Sequence, residues 1–284
     1  MMTTMTADTI TIPARDGYAL AASVYRPDED RGRLVVISSA MAVKRDFYAR
    51  LASHFASVGH TVITYDYRGI GGSRNGSLRG FDATLSDWAL LDMQGVIEWS
   101  IRTYSPDRLF LFGHSAGGQL AGMIADPTPV DAMVTVASQS GYWKLQGKGQ
   151  KAVVAFHSHV SLPGLPKLFG YMPWSRISKA EDLPKGVSEE WARWIRSPDY
   201  LLGDDSLPLD RYSRFVAPVL AYSLADDTWG TREAVNAMMS AYPNVERRHV
   251  EPSEIGVESI GHFGFFRPEA RPLWDDVVAW LDTH

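Results

Sequence analysis

Short apolar, β-branched runs alternate along this chain with stretches whose apolar positions recur at helical spacing. "TITIPARDG" and "ALAASVYRP", spanning residues 9–27, predict an opening hairpin, and "LVVIS", "TVITYD", "LFLF", "AMVTVAS" and "VLAYSL" follow as buried strands. Near-continuous apolar runs of this kind suit parallel strands covered on both faces. "VERRHVE" predicts the last strand, and helical patterns occupy residues 46–58, 85–101, 115–125, 231–241 and 270–282. The alternation predicts an α/β fold with a mostly parallel central sheet flanked by helices.

One stretch breaks the pattern. From Gly141 to about Asp210 the chain turns to proline, tryptophan and short helical segments, far too long for an ordinary connection between a helix and a strand. This predicts an inserted helical lid at 141–210 over a core built from 1–140 and 211–284. Four of the nine tryptophans lie in the insert: Trp143, Trp174, Trp191 and Trp194. Two readings stay open for them, a small core of the insert's own or the wall of an apolar substrate pocket.

The composition, 45% hydrophobic and 21% charged, is that of a folded globular protein. A net charge of -5 without any run of Lys or Arg argues against nucleic acid or an anionic membrane as the main partner. A small-molecule substrate is the expected partner. The chain has no cysteine, which excludes disulfides, a thiol nucleophile and a thiolate metal site. No stretch reaches the roughly 18 apolar residues of a membrane span, and "MMTTMTADTI" has no leader pattern, so a cytoplasmic location is expected.

The chemistry begins at "LFLFGHSAGGQLAG". Gly113-His114-Ser115-Ala116-Gly117 is a Gly-x-Ser-x-Gly pentad between a predicted strand and a predicted helix, the setting of a nucleophile elbow. The turn strains the serine backbone and holds its hydroxyl above the sheet edge, and the Ala116 amide at the helix start supplies half of an oxyanion hole. On these residues the chain resembles the α/β-hydrolases, and the resemblance covers nearly everything outside the insert. It implies an acid after "VLAYSL", where "ADDTWG" stands, and a histidine after the last strand, where "IGHFGFF" places His262. Asp226 and Asp227 compete for the acid role, and in an extended segment only one can reach His262. The family register favours Asp227. The resemblance also implies a second oxyanion amide from the loop after "LVVIS"; Met41 is the choice and Ala40 the alternative. "YDYRGIGGS" resembles a structural loop of the family, with Asp66 and Arg68 pairing or capping, and lacks the third glycine of a dinucleotide fingerprint.

Of the eight histidines, His114 sits inside the elbow, where it packs or orients its neighbours. His157 and His159 are two residues apart without an acidic partner, which is no metal pattern, and no cofactor is called for. The expected function is a serine hydrolase acting through an acyl-enzyme: Ser115 as nucleophile, His262 as base, Asp227 as its orienting acid, Ala116 and Met41 as oxyanion donors. A carboxylic ester with a hydrophobic part is the expected substrate. Thioester or amide hydrolysis, acyl transfer and a non-catalytic binding role are the alternatives. The segment "LPKGVSEEWARWIRSPDY" resembles a little-characterised bacterial group of predicted serine hydrolases, aminopeptidase-like or esterase-like, which supplies no substrate.

Overall fold

A computed structural model describes residues 6–176 and 178–284; the leader reading at the N-terminus falls partly on residues 1–5, outside the described residues. Among the described residues ten strands form: β1 (Asp8–Pro13), β2 (Ala19–Tyr25), β3 (Arg33–Ser38), β4 (His60–Tyr65), β5 (Arg108–His114), β6 (Ala132–Val136), β7 (Tyr171–Met172), β8 (Leu183–Pro184), β9 (Val219–Leu224) and β10 (Val245–Val250). Eight of them make one sheet in the order β1-β2-β4-β3-β5-β6-β9-β10. β1 and β2 are the antiparallel hairpin the sequence predicts, β2 runs antiparallel to β4, and every other pairing in this sheet is parallel. This is the mostly parallel, helix-flanked sheet of the α/β-hydrolase fold.

Side-chain parity along the strands builds two cores. In β5, Leu109 and Leu111 enter one hydrophobic cluster while Phe110 and Phe112 enter the other, and β3 divides Leu34 and Val36 from Val35 and Ile37 in the same way. Both faces are therefore dry, which is why these strands read as continuous apolar runs. The second cluster is closed by the helices Ala49–Ser57 and Arg271–Leu281.

The strand order reverses at the sheet's centre. From β3 the chain moves outward to β4, then returns to lay β5 on β3's other side. The loops leaving β3 and β5 thus part in opposite directions and leave a crevice at the carboxyl ends of the strands. Ser115 follows β5 there, and Met41 follows β3.

Residues 141–210 run between β6 and β9. They include a continuous helical stretch over residues 150–169, the two-stranded ribbon β7-β8 and the helix Lys185–Arg196. Val154, Leu162, Leu183, Trp194 and Tyr200 from this stretch belong to the same hydrophobic cluster as one face of the sheet.

Candidate active site

Ser115 stands at φ 50°, ψ −114°, a left-handed conformation that a residue with a Cβ adopts only when its surroundings impose it. The neighbours impose it through close approach. A Cβ on Gly113 would lie 2.4 Å from the Gly118 nitrogen, and one on Gly117 would lie 2.1 Å from the Ser38 carbonyl oxygen. With both glycines bare, the helix Ala116–Leu120 can press against the ends of β3 and β5. The Ser115 amide donates to the Val136 carbonyl at 2.9 Å, which ties the turn to β6.

His262 lies on the short helical turn Gly261–Gly264, with its Nδ1 2.7 Å from Asp227 Oδ2. The other carboxylate oxygen of Asp227 accepts from the Trp229 amide at 2.8 Å, and the group is buried. Facing a carboxylate, Nδ1 carries the proton and Nε2 is left as the basic nitrogen. Gly230 makes room for this acid, since a Cβ there would come within 2.6 Å of Asp227 Oδ2. Asp226 faces away and holds the loop instead: it accepts from the Ser259 hydroxyl at 2.7 Å and from the Ile260 and Gly261 amides at 2.9 and 2.8 Å. Burial pushes the Asp226 carboxyl up, but the donors of Gly261, Ser259 and Ile260 outweigh it and hold it below its ordinary range.

Behind Ser115 a second imidazole joins three loops. His114 Nε2 lies 3.0 Å from the His262 carbonyl oxygen and its Nδ1 2.9 Å from the Tyr48 hydroxyl. A carbonyl oxygen only accepts, so Nε2 carries the hydrogen. Burial, with the nearby His262 adding to it, holds His114 well below the usual imidazole range, so the ring is neutral and Nδ1 accepts from Tyr48. Tyr48 in turn accepts from the Ala40 amide at 2.8 Å. That occupies Ala40, whereas among the described residues the Met41 and Ala116 amides donate to no protein group.

Ser115, Ala116, Met41 and His262 all line one cavity of about 830 Å³. Trp174, Trp191, Trp229, Leu162 and Leu183 form apolar stretches of its wall. The tryptophans of residues 141–210 divide: Trp174 and Trp191 face this cavity, ring centroids 6.1 Å apart, Trp143 packs partly buried against the first core cluster, and Trp194 is buried, meets Tyr200 edge-on and donates to Asp204. Tyr200 donates to Gln119 Oε1 at 3.0 Å, and Gln119 donates to the Gln139 carbonyl at 2.7 Å, a polar floor that no motif in the sequence marked. Asp66 and Arg68 pair separately. Asp66 takes Arg45 and the Gly72 amide, and Arg68 takes Asp92 and Asp16. His157 lines the cavity and His159 is bonded to the Ala155 carbonyl.

A family model described as alpha/beta hydrolase fold matches residues 33–173. Over those residues, just under half of the chain, the sequence resembles the α/β-hydrolases. Among solved structures it is similar to Est1E from Butyrivibrio proteoclasticus bound to ferulic acid, with a TM-score of 0.65 and 16% identity over 96% of this chain and 97% of that one. It is also similar to an esterase from Exiguobacterium antarcticum, with a TM-score of 0.64 and 17% identity over 97% and 100% of the two chains. An esterase domain of a Rhodothermus marinus protein gives a TM-score of 0.63 and 16% identity over 97% and 98%. At such identities these likenesses concern the α/β-hydrolase fold. Among the described residues no helix is long and apolar enough to cross a membrane.

Proposed function

We propose that this chain is a member of the α/β-hydrolases and a carboxylic ester hydrolase working through an acyl-enzyme. The observation that carries the reading is a convergence: one cavity lined by Ser115, His262 and the unengaged amides of Met41 and Ala116, with Asp227 behind the His262 ring. Ser115 attacks the ester carbonyl while His262 Nε2 takes its proton, and Asp227 keeps the ring in the required tautomer and stabilises the imidazolium. The developing oxyanion accepts from Met41 and Ala116, each donor worth about 3 kcal/mol in sites of this kind. His262 then returns the proton to the leaving alcohol, and in the second half-reaction it draws a proton from water to release the acid. No metal or cofactor enters these steps.

Residues 141–210 act as the lid over the core of 1–140 and 211–284, and a cytoplasmic setting belongs to the same proposal. The substrate is a small molecule with a hydrophobic part, because Trp174, Trp191 and Trp229 offer ring faces to it. Est1E holds ferulic acid, a flat aromatic acid, and a comparable acyl group suits these walls. Gln139 also lines the cavity, and its buried Oε1 has no partner among the described residues, which suits a substrate hydroxyl or N–H.

A fluorophosphonate should label wild type at Ser115, and p-nitrophenyl esters should turn over with wild type and not with Ser115→Ala. Profiling esters, thioesters and amides side by side decides the bond cleaved; faster turnover of thioesters or amides would replace the ester reading.

A further inference from the structure

Over residues 141–180 the chain contains no Asp or Glu, yet it carries Lys144, Lys148, Lys151, Lys167, Arg176 and Lys179. In a protein of net charge -5 this is a sharp local reversal. All six side chains belong to exposed residues, and among the described residues none takes part in an ion pair. The nearest acids in sequence are already committed, Glu181 to Lys44 and Asp182 to Arg74, both at 3.3 Å.

The same segment exposes apolar side chains at helical spacing. Along the continuous helical stretch over 150–169, Val153 is 45% exposed, Phe156 57%, Val160 52% and Leu168 73%. Steps of three, four and eight residues keep these four on one outward stripe, with Lys167 beside them. The inward face holds Val154, Ser158, Leu162 and Pro166, and Val154 and Leu162 line the substrate cavity. Burial in the fold accounts for one apolar face of this helix and leaves the other in water. Phe47 and Phe263, 41% and 45% exposed, are large apolar residues at the cavity, their rings meeting edge-on at 5.8 Å.

A surface helix with a free apolar stripe flanked by unpaired cations matches one kind of partner, the interface of an anionic lipid layer. We propose that residues 141–180 dock this protein peripherally on anionic lipid, with Val153, Phe156, Val160 and Leu168 entering the headgroup boundary and the six cations meeting lipid phosphates. The cavity wall formed by the helix's other face then lies against the lipid. The whole-chain charge, read without its distribution, argues against such a partner; the segregation of charge reverses that argument.

The test is co-flotation of the full chain with vesicles of phosphatidylcholine alone or mixed with phosphatidylglycerol. Wild type should float with the mixed vesicles, weakly with the neutral ones, and progressively less as salt rises. Phe156→Ser/Leu168→Ser should lose binding. Lys148→Glu/Lys151→Glu should lose it by at least about 25-fold, taking about fivefold per basic residue at such a surface. Both variants should hydrolyse soluble short esters as wild type does, and Ser115→Ala should float like wild type, so failure of docking and failure of the esterase reading are separable. Absence of flotation at low salt overturns the proposal, as does flotation that both double variants leave intact. Self-association of wild type that the same variants abolish would make this face an interface between copies and also overturn it.

Discussion

The neutral imidazole of His114 donates from Nε2 to the backbone carbonyl of His262 at 3.0 Å, so the residue before Ser115 holds the loop that carries His262. The same ring accepts from Tyr48, and Tyr48 accepts from Ala40. The turn at Ser115, the His262 loop and the loop of Ala40 and Met41 are thereby one hydrogen-bonded unit. Tyr48→Phe removes the shared hydroxyl and leaves a buried amide and a buried ring nitrogen without partners, at a cost of about 1–3 kcal/mol. We expect an earlier urea midpoint and a kcat about tenfold lower, because small misplacements of reacting groups are costly. Unchanged kcat with lowered stability would reduce the relay to a purely structural one.

Asp226 and Asp227 are adjacent, but only the second reaches His262 Nδ1. Asp227→Asn keeps the shape of the side chain and destroys the carboxylate that selects the tautomer, so kcat should fall by about four orders of magnitude. Asp226→Asn leaves one accepting oxygen for donors that now use both carboxylate oxygens, and should loosen the His262 loop while lowering kcat no more than about tenfold. Ester kinetics on both variants check this, and equal losses would defeat the assignment of Asp227 as the acid.

The glycines of the chain differ in what a methyl group would meet. At Gly117 it would meet the Ser38 carbonyl at 2.1 Å, a backbone atom that cannot step aside. Gly117→Ala should therefore abolish fluorophosphonate labelling of Ser115 or prevent folding. Gly164 lies in the helix Leu162–Phe169 with nothing within 4 Å of an added Cβ. Gly164→Ala should raise stability by up to about 1 kcal/mol, since alanine surrenders less backbone entropy in a helix. Thermal melts of both variants read the contrast directly.

How much of this was legible in the sequence follows from which signals are local. The central strands of the sheet are read well because their two faces are both dry, and the turn at Ser115 stands out because Gly113 and Gly117 flank it closely. The residues of the long insert are harder. Trp191 and Trp194 lie three apart on one helix, yet one faces the cavity and the other the core, which depends on where β7 and β8 carry the chain. Likewise nothing local links Tyr48 to His114, 66 residues further on. The role of Asp226 as a clasp for Ser259, Ile260 and Gly261 arises only when β9 and the His262 loop meet. Charge segregation in 141–180 is present in the letters but masked by the total, and its meaning depends on the absence of ion-pair partners for these cations among the described residues.

Acid should weaken this fold through its buried imidazoles. His60 opens β4 beneath Phe55 and Phe110, 1% exposed, and neither ring nitrogen has a hydrogen-bond partner among the described residues. Burial pushes it down to about 4, with the charges of Arg33 and Arg31 acting in the same direction. In the unfolded chain the ring titrates near its ordinary value of about 6.5. Above about pH 6.5 both states hold a neutral ring and His60 costs nothing; between about 6.5 and 4 the unfolded chain binds a proton that the folded one refuses, so stability falls as pH falls. The full span corresponds to about 3 kcal/mol. Urea midpoints measured at pH 7.5 and pH 5 should differ in wild type, and His60→Phe, which cannot take up the proton, should narrow that difference. An equal pH dependence in the variant would move the origin of acid lability to His54 and His114, which burial also holds low.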